Sequence, residues 1–336
     1  MSKSQNTKHK SQIIKLDRIS FQDVVPFAAF FIIFLFFVIA SYNERTGTIR
    51  MLTAYNLNLI LEQSMLTIIA GCGAMFVIAQ GSTDLSVGVN LALSGVIATW
   101  FALVTGVPVL LFPVALIVGL AVGLFNGVIV SKYKVPSFMV TIAMLMGVRG
   151  LVNYIQTKLQ SQRIPESLLF LNSPFIKIGV FLVVVAVMAY VFEFTKTGRY
   201  SRAIGENETA AKFVGIPVGR VKLVAFALSG LLSGVAALFS LVTIGSTSQQ
   251  MGVFLEMRVV MAIYLGGVLV TGGSSAKFYK LILGSLSITI IINGLALISM
   301  SDSHISQSVQ GVLLLLILIL SMVMGNRKRR TKTDDA

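Results

Sequence analysis

Val107-Pro108-Val109-Leu110-Leu111-Phe112-Pro113-Val114-Ala115-Leu116-Ile117-Val118-Gly119-Leu120-Ala121-Val122-Gly123-Leu124-Phe125-Asn126-Gly127-Val128-Ile129-Val130 runs for 24 residues without a charge. A helix needs about 20 such residues to cross the hydrocarbon core of a bilayer. Nine further apolar segments flank it, at about 24–40, 64–80, 85–104, 135–155, 178–194, 221–243, 257–273, 280–298 and 306–324. The division from 85–104 rests only on Thr105, Gly106, Val107 and Pro108. The reading is an all-α, polytopic membrane protein of about ten spans.

Composition supports this. Of 336 residues, 55% are hydrophobic and 12% charged, with a mean hydropathy of +0.87. A soluble domain carries about 25% charged residues and must cover its surface with polar groups. A soluble enzyme or two-domain cytosolic protein is therefore excluded. The lone Cys72 forbids an internal disulfide, and His9 and His304 are too few for a structural zinc site.

The net charge of +14 would point to nucleic acid in a soluble protein. In a membrane protein it sets orientation. With the N-terminus cytoplasmic, 20 of the 27 Lys and Arg residues fall on inner loops and tails. Arg45, Arg50, Arg149, Lys158, Arg163, Lys177 and Arg258 make up the rest. Both termini are then cytoplasmic, and the run Arg327-Lys328-Arg329-Arg330 is a topology anchor near anionic lipid headgroups, with no nucleic-acid partner. The first apolar run competes with a signal peptide, since Val38-Ile39-Ala40 resembles a cleavage site. The long basic stretch before it favours a retained helix.

Two Gly-rich interruptions stand out: Gly81-Ser82-Thr83-Asp84-Leu85-Ser86-Val87-Gly88, and Gly266-Gly267-Val268-Leu269-Val270-Thr271-Gly272-Gly273. Glycine costs a helix about 1 kcal/mol relative to Ala. Irregular backbone at membrane depth survives only buried in protein or beside a wet cavity. Broken segments at matching places in two halves suggest an internally repeated core. An ordinary turn with Asp84 capping the next helix is the plain alternative. Gly119, Gly123 and Gly127, with Gly230 and Gly234, have helix-packing spacing.

Ionisable groups within the apolar segments are scarce: Asp84, Glu62, Arg149 and Arg258. That argues against proton coupling and a charged substrate. Asn90, Asn126, Thr141 and Asn293 are placed either to bond a neutral hydroxylated solute or to bridge helices. No phosphate loop of the Gly-x-x-x-x-Gly-Lys-Ser/Thr type occurs. The Ser274–Lys277 and Lys196–Gly198 matches to penicillin-binding motifs occur in the wrong chain order. Asn207-Glu208-Thr209 is a glycosylation triplet on the cytoplasmic side.

The loop between about 195 and 220 is long, basic and cytoplasmic. A short helix is expected over 207–214, with Asn207 as cap and Gly215 as stop. The loop 156–177, with Pro165 and Pro174, reads as external irregular structure.

Glu208-Thr209-Ala210-Ala211 followed by Gly215 resembles the coupling-loop signature of ATP-binding-cassette importer permeases. Thr197-Gly198-Arg199-Tyr200, Ala203-Ile204-Gly205, Asp84-Leu85-Ser86-Val87-Gly88, Lys134-Val135-Pro136-Ser137-Phe138, Leu265-Gly266-Gly267 and Gly272-Gly273 match its ribose/xylose/arabinose branch. The resemblance covers about 50–325. Thr209 stands where Ala is usual, and Gln80-Gly81-Ser82-Thr83 and Lys277-Phe278-Tyr279-Lys280 depart from the usual Gly-rich runs.

The resemblance implies a multi-pass permease of the bacterial inner membrane, not itself an enzyme. It implies a cytoplasmic tail at 1–20, a permease domain at 21–325 with the coupling loop at 195–220, and a basic tail at 326–336. Gly198, Arg199, Gly205, Asn207, Glu208, Ala210 and Gly215 would couple to a separate ATPase, which binds ATP and Mg. Gly81, Asp84, Ser86, Gly88, Asn90, Gly266, Gly267, Gly272, Gly273 and Asn293 would lie by the pathway. A second copy or paralogue, surrounding lipid and an extracytoplasmic binding protein complete the partners; this chain needs no cofactor or metal. The solute is expected to be a pentose or hexose, with nucleosides, autoinducer-2 and branched-chain amino acids as alternatives. An ATP-independent channel or ion-coupled carrier is the reading from another class.

Overall fold

Uncharged chain in hydrocarbon must satisfy its own backbone polar groups, which the helix does within one segment. The computed structural model describes residues 21–44 and 47–298, with positions 308, 311–312, 315–316 and 319 beyond them. The tails 1–20 and 326–336, and most of the expected span 306–324, lie outside the described residues. Eleven α-helices follow in order: α1 (Phe21–Ala40), α2 (Ala54–Ala79), α3 (Val87–Thr105), α4 (Leu111–Lys132), α5 (Ser137–Leu159), α6 (Pro174–Phe194), α7 (Lys196–Glu206), α8 (Glu208–Phe213), α9 (Val218–Ile244), α10 (Leu255–Leu265) and α11 (Phe278–Leu297). Strand among the described residues is confined to the paired dipeptides Tyr42–Asn43 and Thr48–Ile49.

Seven helices, α2 to α6, α9 and α11, are long and apolar enough to cross a membrane. The four-residue divider Thr105–Pro108 does separate two of them. Gly106 sits at φ +68°, a conformation glycine adopts freely, and ends α3. The expected span 257–273 is different. Its helix, α10, has 11 residues and covers about 16 Å, half of the ~30 Å hydrocarbon core. Gly266 closes it and Gly267, at φ +87°, turns the chain away.

Burial sorts the spans into a core and a wrapping. Between 61% and 78% of the apolar stretch is buried in α2, α3, α9 and α11, against 17–22% in α4, α5 and α6. The packing glycines do what their spacing indicated. A Cβ on Gly123 would come within 2.4 Å of the Phe226 carbonyl oxygen, and one on Gly119 within 2.5 Å of that of Gly230. The two helices α4 and α9 therefore touch backbone to backbone, which apolar side chains would prevent. At the far end of α9, Ile164 N donates to Gly245 O at 3.0 Å, tying the 160–173 loop to that helix end.

Candidate functional site

The turn from α6 into α7 is sharp. Thr195 is extended and its hydroxyl donates to Val191 O at 2.6 Å. A Cβ on Gly198 would stand 1.8 Å from Phe192 O, so the corner admits only glycine there. The sequence reading places a helix at 207–214 alone; α7 is an additional helix upstream. Its buried face is Gly198, Ser201 and Ile204, too small and polar to register as an apolar stripe.

Both Gly-rich interruptions meet beneath α7. A Cβ on Gly205 would lie 2.1 Å from Ala79 O, at the end of α2, and 2.4 Å from Gly273 N. Gly272, at φ +71°, rests against the carbonyls of Ile78 and Ala79. Hydrogen bonds close the junction. Gln80 Nε2 donates to Ser201 Oγ at 3.0 Å and to Val221 O at 3.3 Å. The Glu206 carboxylate accepts from Ser274 N at 2.8 Å and from the Ser274 hydroxyl. Glu193 accepts from Phe278 N, the first residue of α11, at 2.8 Å, and pairs with Arg202 at 2.8 Å. The Arg202 guanidinium also lies over the Phe192 ring.

Arg199, one of the expected coupling residues, is exposed and forms no ion pair among the described residues. Arg202, three positions on, makes the anchoring contact. Gln80, Glu193, Arg202, Glu206 and Ser274 escape a reading of the sequence because their partners lie up to 141 positions away.

Asn207 and Gly215 match their expected local roles. The Asn207 side chain accepts from Ala210 N at 3.0 Å, and Gly215 sits at φ +83° with open space around it. Glu208 accepts from Lys212 Nζ at 2.7 Å and from Lys222 Nζ, on α9, at 2.8 Å. These bonds, from Lys212 first and then Lys222, hold its carboxyl below the usual carboxylate range. Ile204, Ala211, Val218 and Val221 form a small apolar cluster that joins α7, α8 and α9. Ala210, Phe213 and Val214 face outward, with Phe213 87% exposed.

The first interruption runs back into the protein. Asp84 is buried and accepts from Ser86 N at 2.9 Å, Ser86 Oγ at 2.6 Å and Ser229 Oγ at 2.7 Å. Ser86 Oγ accepts in turn from Asn126 Nδ2 at 2.9 Å. The segment is thus fixed to α4 and α9 by a carboxylate-centred network. Thr83 N donates to Ser137 Oγ at 3.1 Å, which ties in the Lys134–Phe138 motif. Gly81, Ser82 and Thr83 line a cleft of about 630 Å³ shared with Lys134, Glu208, Lys212 and Lys222. Gly88 gives room to the Glu256 carboxylate and the Gly252 carbonyl.

Of the polar midspan residues, Asn90 donates to Gly119 O at 3.0 Å and Asn293 to Gln63 Oε1 at 3.0 Å. Each bridges helices. Gly266 lies against Lys280 O at the crossing of α10 and α11. Among the described residues, no three His, Cys, Asp or Glu side chains converge as metal ligands.

The family described as "Branched-chain amino acid transport system / permease component" matches residues 56–322. The ribose import permease of Haemophilus influenzae is 32% identical, over 80% of this chain and 85% of its own. The L-arabinose ABC transporter permease of Azospirillum brasilense is 33% identical over 77% of each chain. The fructose import permease of Rhizobium meliloti is 29% identical, over 80% of this chain and 78% of its own. No solved structure matches the chain. Helices long and apolar enough to cross a membrane and a family match over most of the length agree: the chain belongs to the multi-pass inner-membrane permease subunits of bacterial ABC importers, in their simple-sugar branch.

Proposed function

We propose that this chain carries a small neutral sugar, a pentose or hexose, into the cell by alternating access, driven by ATP bound with Mg in a separate cytoplasmic ATPase. Ribose, arabinose and fructose appear in the names of its relatives. Two copies, or this chain and a paralogue, enclose the pathway, and an extracytoplasmic binding protein delivers the solute. Seven long helices, α1, the segment 245–265 that crosses partly as loop and partly as α10, and the segment 306–324 are read as ten passes, with both termini in the cytoplasm.

One observation carries the coupling part of this reading: α7 touches the end of α2 and the start of the 273–275 turn with backbone contacts too tight for any side chain at Gly205. A push on α8 from the ATPase, through its exposed Phe213 and Val214, is delivered by α7 to both helix breaks at once. Gly198, Asn207, Glu208, Ala210 and Gly215 shape the pushed element. Gly81, Asp84, Ser86, Gly88, Asn90, Gly266, Gly267, Gly272, Gly273 and Asn293 belong to the breaks and the helices they release; their part in transport is to shape the pathway's walls.

Proteoliposomes test this. The chain with its ATPase and binding protein takes up sugar only with ATP, and the chain alone takes up none. Glu208→Arg and Gly215→Val reduce uptake more than tenfold, about 1.4 kcal/mol or more. Full uptake by either variant with the ATPase still docked overturns the coupling role of α8.

A further inference from the structure

The loop after α9 re-enters the protein and starts α10 deep within it. Gly252 and Glu256 press on Gly88, at the start of α3. Arg149 Nη1 donates to Met251 O at 3.0 Å. Arg149 is the thirteenth of the 23 residues of α5, so this contact marks the middle of the membrane.

Three charges gather there. Glu256 is 5% exposed, and its Oε2 has no hydrogen-bond partner among the described residues. It forms an ion pair with neither Arg149 nor Arg258 among the described residues. Arg258 is half-buried, its Nε is without a partner, and its guanidinium makes no hydrogen bond within the described chain. One turn before it, Phe254 stands at φ +60° and is 40% exposed. A bulky residue rarely takes that conformation, and such strain clusters at functional positions.

A guanidinium at the membrane centre cannot face lipid without a cost of at least about 2.5–3.5 kcal/mol. The open side of the α10 start must therefore meet water. The neighbouring face of α5 agrees. It leaves Ala143, Gly147, Gly150 and Asn153 exposed, and nothing lies within 4 Å of a Cβ placed on Gly147 or Gly150. These glycines pack against nothing among the described residues, unlike Gly119 and Gly123. The apolar stretch of α5 has a hydropathy of 1.6, against 2.6 in α6, although α5 also exposes Met146, Leu151 and Tyr154.

We propose that Arg258 and Phe254 form the mid-membrane contact for the transported sugar, with Glu256 and Arg149 as the fixed charges behind them. The guanidinium offers several N–H donors to ring hydroxyl oxygens. The Phe254 ring offers an apolar face to the sugar's C–H groups. Glu256 lies at the first turns of α3 and α10, where a negative charge is stabilised, and it holds the guanidinium's charge in place without occupying its donors. The inference rests on the sugar-importer reading above and adds a site to it.

The test uses the full importer in proteoliposomes, with D-ribose, L-arabinose and D-fructose as probes and uptake measured per ATP hydrolysed. Arg258→Gln lowers uptake per ATP about tenfold, while ATPase stimulation by the binding protein stays within about twofold. Arg258→Lys retains an intermediate rate, since it keeps the charge but loses the planar fork. Phe254→Gly relieves the backbone strain while removing the ring, so a loss of uptake there reports the ring and not misfolding. Unchanged uptake in Arg258→Gln and Phe254→Gly overturns the site and leaves the importer reading standing. So does a parallel fall of uptake and ATPase stimulation, which would mark a structural role. An unmodified importer that moves none of the three sugars overturns the sugar reading, and this site with it.

Discussion

Two polar clusters, at different depths, are built on opposite principles. Beneath α7, Gln80, Ser201, Glu206 and Ser274 bond directly to one another and to backbone, across contacts that leave no space for a Cβ. At the start of α10, the charged Glu256 and Arg258 each keep a buried polar atom without a partner among the described residues, whereas beneath α7 the atom left so is the neutral Gln80 Oε1. A bonded network in low dielectric is rigid, whereas an unpaired buried group is costly. The first cluster suits transmission of force. The second is stable only in a protein that gains something by leaving donors free. The difference teaches where to look in a membrane chain: bonded polar groups mark mechanical joints, and unpartnered ones mark contacts still to be made.

The comparison breaks most severely at Gly205. Gly205→Val places side-chain carbons against Ala79 O and Gly273 N, both backbone, so neither can yield. We expect loss of folded protein, or recovery of a protein with ATPase bound and no sugar uptake; yield on size-exclusion chromatography and uptake in proteoliposomes distinguish the two. Wild-type uptake would mean that α7 does not bear on the breaks.

Next in size is Asp84→Ala. It removes the acceptor for three donors and leaves the Ser229 hydroxyl buried without its partner. Thermal unfolding of the purified protein should register a loss of about 3 kcal/mol. Asp84→Asn, which keeps an acceptor oxygen, should lose less. Equal losses for both would show that the charge and the second acceptor oxygen, and not the shape of the side chain, hold the linker to α9.

These two residues also show how far the sequence could be read. The spans were legible because predominantly apolar runs of 19–27 residues have only one stable form in lipid. The exceptions follow from glycine: α10 is cut at Leu265 by two adjacent glycines inside an apolar run. Asp84 stood out as a rare carboxylate, but whether it lined a pathway or tied a linker depended on Ser229, 145 positions away. Arg199 lies in the matched motif and Arg202 does not, and nothing local points to Arg202; only Glu193 and the Phe192 ring single it out. Glu256 drew no attention, because it sits within an apolar stretch and its neighbours converge only through the re-entrant loop. Local roles such as the Asn207 cap and the Gly215 stop were legible, since their partners lie within a few residues.

Ser274→Ala measures one strut of the joint in isolation. It removes the hydroxyl that donates to Glu206 but keeps the backbone N–H bond to the same carboxylate. A stability loss of about 1 kcal/mol is expected, with sugar moved per ATP falling severalfold as the break follows α7 less faithfully. Unaltered uptake per ATP would assign the joint to the backbone contacts alone.

The smallest effect lies at Glu208, where the joint meets solvent. Its carboxyl titrates below its ordinary 4.5 because Lys212 and Lys222 bond to the ionised form. A lowered folded-state value means that the two pairs contribute in full above the ordinary carboxylate range, and that the contribution is lost as pH falls through the lowered value. Glu208 is 40% exposed, so water screens the pairs and the contribution is a few tenths of a kcal/mol. The Lys222 side chain is 19% exposed against 58% for Lys212, and it joins α8 to α9 instead of to its own helix. Lys222→Met should therefore raise amide exchange across 208–216 at neutral pH more than Lys212→Met does. Acidification below 4.5 should lower the protection factor, that is, exchange measured relative to the intrinsic rate at each pH, in the wild type and change it little in Lys222→Met. If the two lysine variants behave alike, α8 is held by Ala211 and its apolar neighbours, and the ion pairs only decorate a surface that the ATPase covers.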